Sequence, residues 1–330
     1  MTLYIKERKM AVDAVIRASR VCQDIRASLV DEETVIKEDR SPVTIADFSA
    51  QSIIAHCLLQ EFPDDPLVAE ESAADFLSLG DKQLNQRVFE SVRSEFPDLD
   101  NKAILKALDH GNHDGKNQKR FWTLDPIDGT KGFLRNQQYA VSFALIEDGE
   151  VVFGVLGCPN YPVVWSEADG AKGILLIAAK GAGTVMRTMD DDTEHPAAVS
   201  DINDASQAVF CESVEAGHSS HSNSQKISDM LGVTKEPIRL DSQCKYSAVA
   251  LADASVYLRL PTSEKYKEKI WDHAAGVIAL TEAGGRVSDI YGKELDFSQG
   301  STLAKNKGVV ATNGLIHNKV IVAVKTILGL

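Results

Sequence analysis

Little in this sequence suggests a secreted or membrane protein. Its five cysteines, Cys22, Cys57, Cys158, Cys211 and Cys244, are scattered without a C-x-x-C pair, which argues against a disulfide framework and suits reduced thiols inside a cell. No stretch reaches the about 18 uncharged apolar residues that a membrane span needs, and the opening MTLYIKERKMAVDAV has no continuous apolar run of the signal-peptide kind. The expectation is a cytoplasmic protein with no membrane partner. Positive charge is also scarce: 35 Lys and Arg stand against 48 Asp and Glu, a formal net charge of −13. Such a surface does not neutralise a long phosphate backbone, so nucleic acid is not an expected partner. A small anion is still compatible, because one bound divalent cation reverses the local field.

With 330 residues, 44% apolar and 25% charged, the chain is long enough for one large or two packed domains. Met10, Val12, Val15, Ile16, Val21, Cys22, Ile25 and Leu29 recur at helical spacing and predict an opening amphipathic helix over 8–29. Ser41-Pro42 is expected to break structure. A second helix is predicted over Thr44–Glu61, with Asp47 in its first turn and Pro63-Asp64-Asp65-Pro66 stopping it. Leu67-Val68-Ala69 is expected as a short strand ending in Glu70-Glu71-Ser72, followed by a polar insertion, Ala73 to Arg120, with one or two helices. YAVSFALIEDGEVVFGVLGCP and GILLIAAKGAGTVMR each predict a strand pair, hence an antiparallel sheet. The charged TMDDDTEHPAA, Thr188 to Ala198, is the expected boundary between an N-terminal α+β domain (1–190) and a C-terminal α/β domain (191–330), where short strands alternate with helices.

The chemistry centres on FWTLDPIDGTKGF, Phe121 to Phe133. A buried strand there runs out at Asp125 and Asp128, so the two acids project from a rigid edge, with Pro126 stiffening the turn between them. Gly129-Thr130 then offers backbone N–H groups to an anion. Paired acids beside an anion site repel each other and the anion unless a cation joins them, which points to a hard divalent metal, Mg²⁺, and phosphoryl transfer to water. Asp47, Glu70-Glu71 and Asp272, all at element ends, are further candidates to converge there. Taken singly, Asp272 is an ordinary N-cap, Asp47 a first-turn dipole partner and Glu70-Glu71 a solvated pair. His218 and His221 lack the further ligands that zinc would need.

Together, SPVTIADFSAQ, AEES, DPIDGTKGF and WDHAAG, in this order and at these gaps, resemble the Mg²⁺-dependent, lithium-sensitive phosphatases of the inositol monophosphatase superfamily. VEAGHSSH, LDSQCKY and VYLRLP are similar to the branch of it that acts on bisphosphorylated nucleotides. The resemblance implies a layered α-β-α-β-α sandwich. It places metal ligands at Glu70, Asp125, the carbonyl of Ile127, Asp128 and Asp272, for two or three Mg²⁺, with Li⁺ inhibitory. Asp47, hydrogen-bonded to Thr130, is implied to activate the attacking water, and Asp128, Gly129 and Thr130 to hold the phosphate. His218, Ser219, Ser242, Lys245 and Arg259 are implied to hold the nucleotide. The implied substrates are adenosine 3′,5′-bisphosphate and 3′-phosphoadenylyl sulfate, handled by a monomer. The alternative is an inositol polyphosphate 1-phosphatase, and a rival of another class is a catalytically silent sensor on the same scaffold. Where the family has a glycine before the two glutamates, this chain has Ala69, whose Cβ resists a positive φ.

Overall fold

The computed structural model describes residues 4–31, 41–167, 170–214, 221–263 and 265–330. Helices α1 (Ile5–Asp31) and α2 (Ser41–Glu61) pack on each other and against one face of the first sheet. α2 begins at Ser41, so Pro42 falls in its first turn and does not break the structure; a first-turn residue needs no N–H for the helix ladder. α2 has no polar stripe because it is enclosed: Ala46, Ser49, Ala50, Gln51, Ile53, Ile54 and Leu58 are all buried.

Strand β1 (Leu67–Ala69) runs parallel to β2 (Arg120–Asp128), with Leu67 opposite Trp122 and Ala69 opposite Leu124. Asp65 fixes this start, accepting from both Trp122 Nε1 and Arg120 Nε at 2.9 Å. The insertion between them holds three helices where one or two were expected: α3 (Ala73–Ser78), α4 (Lys82–Glu95) and α5 (Asn101–Asp109). Each starts at its own side-chain cap, Ser72, Asp81 and Asp100 respectively, a short-range signal that divides the polar stretch more finely than hydrophobic spacing does. After α6 (Thr130–Leu134) come β3 (Ala140–Glu147), β4 (Glu150–Pro162), β5 (Lys172–Ala179), β6 (Gly183–Thr188) and β7 (His195–Pro196). From β2 onward every neighbouring pair is antiparallel, in sequential order.

The second sheet comprises β8 (Phe210–Glu212), β9 (Ile238–Arg239), β10 (Val256–Arg259), β11 (Arg286–Ser288) and β12 (Val309–Thr312), in the order β11-β12-β10-β8-β9. It is mixed: β8 is parallel to β9 and β10, whereas β12 is antiparallel to β10 and β11. Helices α8 (Cys244–Ala250) and α9 (Ala274–Glu282) lie between the two sheets, and α7 (His221–Met230) and α10 (His317–Leu328) pack together, α10 against β12. Three apolar clusters separate the five layers: α1 and α2 with the first sheet, α8 and α9 between the sheets, and α10 with the second sheet's outer face. Gly154 on β4 permits the close approach of α9, since a Cβ there would lie 2.7 Å from Ile278 Cγ2.

Candidate active site

The expected strand end is a bulge. Asp125 pairs with Ser142 and Asp128 with Ala140, so three steps along β2 face two along β3, and the register shifts between them. On a regular strand, residues three apart point to opposite faces; one extra residue restores the same side. Both acids therefore line one cleft of about 400 Å³, together with Glu70, Ile127, Gly129, Thr130, Ser242, Lys245, Arg259 and Asp272. Asp125 Oδ1 accepts from Ile127 N at 3.1 Å, and Pro126 has no competing amide. Gly129 has φ +91°, and a Cβ on it would lie 2.8 Å from Ser242 Cβ, so this turn needs glycine.

The second half reaches the bulge through Asp241-Ser242-Gln243. The Gln243 amide donates to Asp128 Oδ2 at 2.6 Å, and its side chain donates to Trp271 O at 2.8 Å and accepts from Gly276 N at 3.0 Å. One loop thereby ties β2 to the turn that carries Asp272. The helix expected to start at Asp272 begins two residues later, at Ala274. Asp272 stands in the preceding turn and faces the cleft.

The electrostatics are dominated by buried acids. Burial, then the charges of Asp272 and Glu71, push the Glu70 carboxyl up to about 8, although a hydrogen bond with Asp125 opposes the rise. Asp125 is pushed well up by burial and by Glu70, Asp128 and Asp272. Asp272 rises to about 6 through burial, against the pull of Arg259. Asp47, buried on α2, is raised by burial, Glu71 and Glu70. It does not line the cleft but lies near enough for its charge to act on Asp125. Thr130 is exposed at the start of α6, and no hydrogen bond joins it to Asp47 among the described residues.

Lys245 and Arg259 are both engaged with the protein. Lys245 Nζ, buried, donates to Ser242 O at 2.7 Å and Leu240 O at 3.3 Å and lies over the Tyr257 ring. Burial lowers its pKa. Arg259 pairs with Glu268 at 2.6 Å and Asp272 at 3.3 Å. Among the described residues, Glu268, Asp272 and His273 are the one group of three whose ligand atoms all lie within 4.8 Å of one another; with Arg259 on two of them, this is an ion-pair network. His218 and Ser219 lie outside the described residues. Asp241 and Gln243 belong to the LDSQCKY segment that carries the resemblance; Gln51, Tyr266 and Glu268 were not singled out in the sequence, and of these Gln51 alone carried a signal, four residues beyond Asp47 on the same helix.

An all-oxygen donor set on rigid strand and turn positions, with carboxyls raised by burial and then by one another's charge, fits a hard divalent cation. Chain comparisons agree with this class. Residues 6–328 match the inositol monophosphatase family. Solved structures covering nearly the whole chain include an inositol monophosphatase from Anabaena (TM-score 0.61, 20% identity, 97% of this chain and 95% of that one) and Mycobacterium tuberculosis SuhB (TM-score 0.63, 18% identity, 100% of both); at these identities they speak for the fold. The chain belongs to the inositol monophosphatase family.

Among curated proteins it is 43% identical to the 3′(2′),5′-bisphosphate nucleotidase of Emericella nidulans, over 99% of both chains. It is 41% identical to the 3′(2′),5′-bisphosphate nucleotidases of Schizosaccharomyces pombe (96% of this chain, 94% of that one) and Dictyostelium discoideum (97% and 96%).

Proposed function

We propose that this chain is a Mg²⁺-dependent 3′(2′),5′-bisphosphate nucleotidase, hydrolysing the 3′-phosphate of adenosine 3′,5′-bisphosphate to give AMP and phosphate, and likewise converting 3′-phosphoadenylyl sulfate to adenylyl sulfate. The observation that carries this reading is near-full-length identity of about two residues in five with proteins of that name. The mutually repelling acids of the cleft support it, because they call for a cation.

In this reading Glu70, Asp125, the Ile127 carbonyl, Asp128 and Asp272 hold two or three Mg²⁺. Bound there, Mg²⁺ would supply an acidified water and neutralise charge developing on the phosphate and the leaving 3′ oxygen. Asp47 would take the water's proton on a carboxylate oxygen; Thr130, which has no hydrogen bond to it among the described residues, would have to turn its hydroxyl toward Asp47 to relay that proton. Burial among acids raises Asp47's proton affinity, as a general base requires. The Gly129 and Thr130 amides, beside Asp128, orient the phosphate. Lys245 and Arg259, with His218, Ser219 and Ser242, hold the nucleotide and its 5′-phosphate. Lys245 spends two donors on the Leu240 and Ser242 carbonyls, which leaves its third for a substrate oxygen. Li⁺ inhibits by taking a metal position. The protein acts as a cytoplasmic monomer; among its described residues no helix is long and apolar enough to cross a membrane.

The test is phosphate release from adenosine 3′,5′-bisphosphate and inositol 1,4-bisphosphate, side by side, with Mg²⁺ and with chelator. The expected result is Mg²⁺-dependent release, faster from the nucleotide. Faster release from the inositol phosphate, or undiminished release in chelator, overturns the proposal.

A further inference from the structure

One fully buried polar side chain near the cleft has no part in the chemistry above. Gln51 is completely enclosed, on α2, one turn beyond Asp47. Its amide turns toward the strand-to-loop junction after β1 and makes two hydrogen bonds with one residue: Nε2 donates to Glu71 O at 2.5 Å, and Oε1 accepts from Glu71 N at 3.0 Å. A side-chain amide here does what a neighbouring strand would do, completing donor and acceptor together. The backbone just before it is held from elsewhere. Ala69 N donates to Gly111 O at 3.0 Å, and Glu70 N donates to Leu124 O at 3.3 Å.

Glu70 therefore lies between two clamped residues. Without Gln51, the backbone N–H and C=O of Glu71 would have to find other partners, and nothing else described bonds to them. Gly111 shows how tightly the arrangement is closed: a Cβ on it would lie 2.6 Å from Gln51 Nε2 and 3.0 Å from the Ala69 Cβ. Ala69 itself has no positive φ. Its ordinary strand conformation means the loop direction is set after Ala69, where the Gln51 clamp acts. The same amide also fixes Glu71, whose charge, after burial, is the leading influence on Asp47.

We infer that Gln51 is a positioning residue for the metal site: its two hydrogen bonds to the Glu71 backbone hold the Glu70 carboxylate in the cleft and fix its spacing from Asp47, so Gln51 sets the affinity for divalent cation without touching it. The inference rests on the metal-site reading above. Side chains that orient ligands in this way typically control about 10- to 100-fold of metal affinity.

The experiment uses the full chain and Mg²⁺ alone as probe. Gln51→Met keeps the volume and removes both hydrogen bonds. Calorimetric Mg²⁺ affinity should fall by roughly 10- to 100-fold, with the half-saturating Mg²⁺ for turnover rising in parallel. At saturating Mg²⁺, kcat and the nucleotide KM should return to wild-type values. A loss of kcat that excess Mg²⁺ does not rescue, with affinity unchanged, overturns the inference, since it would mark Gln51 as merely structural. Should Gln51→Met fail to fold, Gly111→Ala presses on the clamp from its other side and should weaken Mg²⁺ binding; wild-type affinity there also overturns it. Asp125→Asn separates the two layers of the argument. If it abolishes Mg²⁺ binding while Gln51→Met does not weaken it, the inference alone fails; if Asp125→Asn binds Mg²⁺ normally, the underlying reading fails.

Discussion

Glu268→Gln isolates the electrostatic link between the nucleotide side of the cleft and its acids. Glu268 Oε2 lies 2.6 Å from Arg259 Nε and 3.3 Å from His273 Nε2, and His273 Nδ1 is 2.9 Å from the Tyr246 hydroxyl. The Glu268 side chain is 8% exposed and that of Arg259 17%, so water does little to screen the pair. Burial raises the Glu268 carboxyl, yet His273 and Arg259 hold it below the usual range. Glutamine keeps the shape and removes the charge. Breaking one side of a buried pair costs about 3 to 5 kcal/mol; because Asp272 still pairs with Arg259 at 3.3 Å, the lower end, about 3 kcal/mol, applies. In a chain of this size that lowers Tm by roughly 5 °C. Arg259 then bears its whole charge on Asp272, so half-saturating Mg²⁺ should rise several-fold. Thermal unfolding and a Mg²⁺ titration of turnover read both effects. A variant with wild-type Tm and wild-type Mg²⁺ dependence would refute the linkage.

Asp128→Asn should abolish Mg²⁺-dependent turnover while the protein stays folded, since an amide still accepts from the Gln243 N–H; near-normal activity would remove Asp128 from the metal site. Measured at saturating Mg²⁺, because Arg259 also pairs with Asp272, Lys245→Ala or Arg259→Ala should raise the nucleotide KM about tenfold or more and that of an inositol phosphate far less, and equal effects on both substrates would deny them the 5′-phosphate. His317, enclosed between Ser288 and Thr312, is lowered to about 4 by burial and by Arg286. A depressed histidine stabilises fully above its unfolded value of about 6.5 and loses that contribution as pH falls toward 4. Between pH 7 and pH 4, wild type should therefore lose up to about 3 kcal/mol more than His317→Gln; identical pH dependence in denaturant unfolding would contradict it.

Elements with strong local signals were legible in the chain. The two opening helices, the strand pairs and the hairpin at Glu147–Glu150 follow from period and turn chemistry. That Asp125 and Asp128 share a face was not derivable from spacing, because a three-residue separation on a flat strand predicts the reverse and only the bulge corrects it. The engagement of Lys245 with the Leu240 and Ser242 carbonyls was also hidden, since it depends on Ser242 adopting φ +64°. Glu268 sits in SEKYKEK, which has the composition of a solvated loop; only the fold brings it under Arg259. Gln51 shows the opposite limit: its place on α2 was readable, but its partner twenty residues on was not.

The central claim is that separated acids gather around shared divalent cations. Anomalous diffraction from crystals soaked in Mn²⁺, a scatterer that substitutes for Mg²⁺, tests it most directly. The account predicts peaks inside the cleft, about 2 Å from oxygens of Glu70, Asp125, Asp128 and Asp272. A cleft without peaks while Mn²⁺ binds at other sites would contradict it.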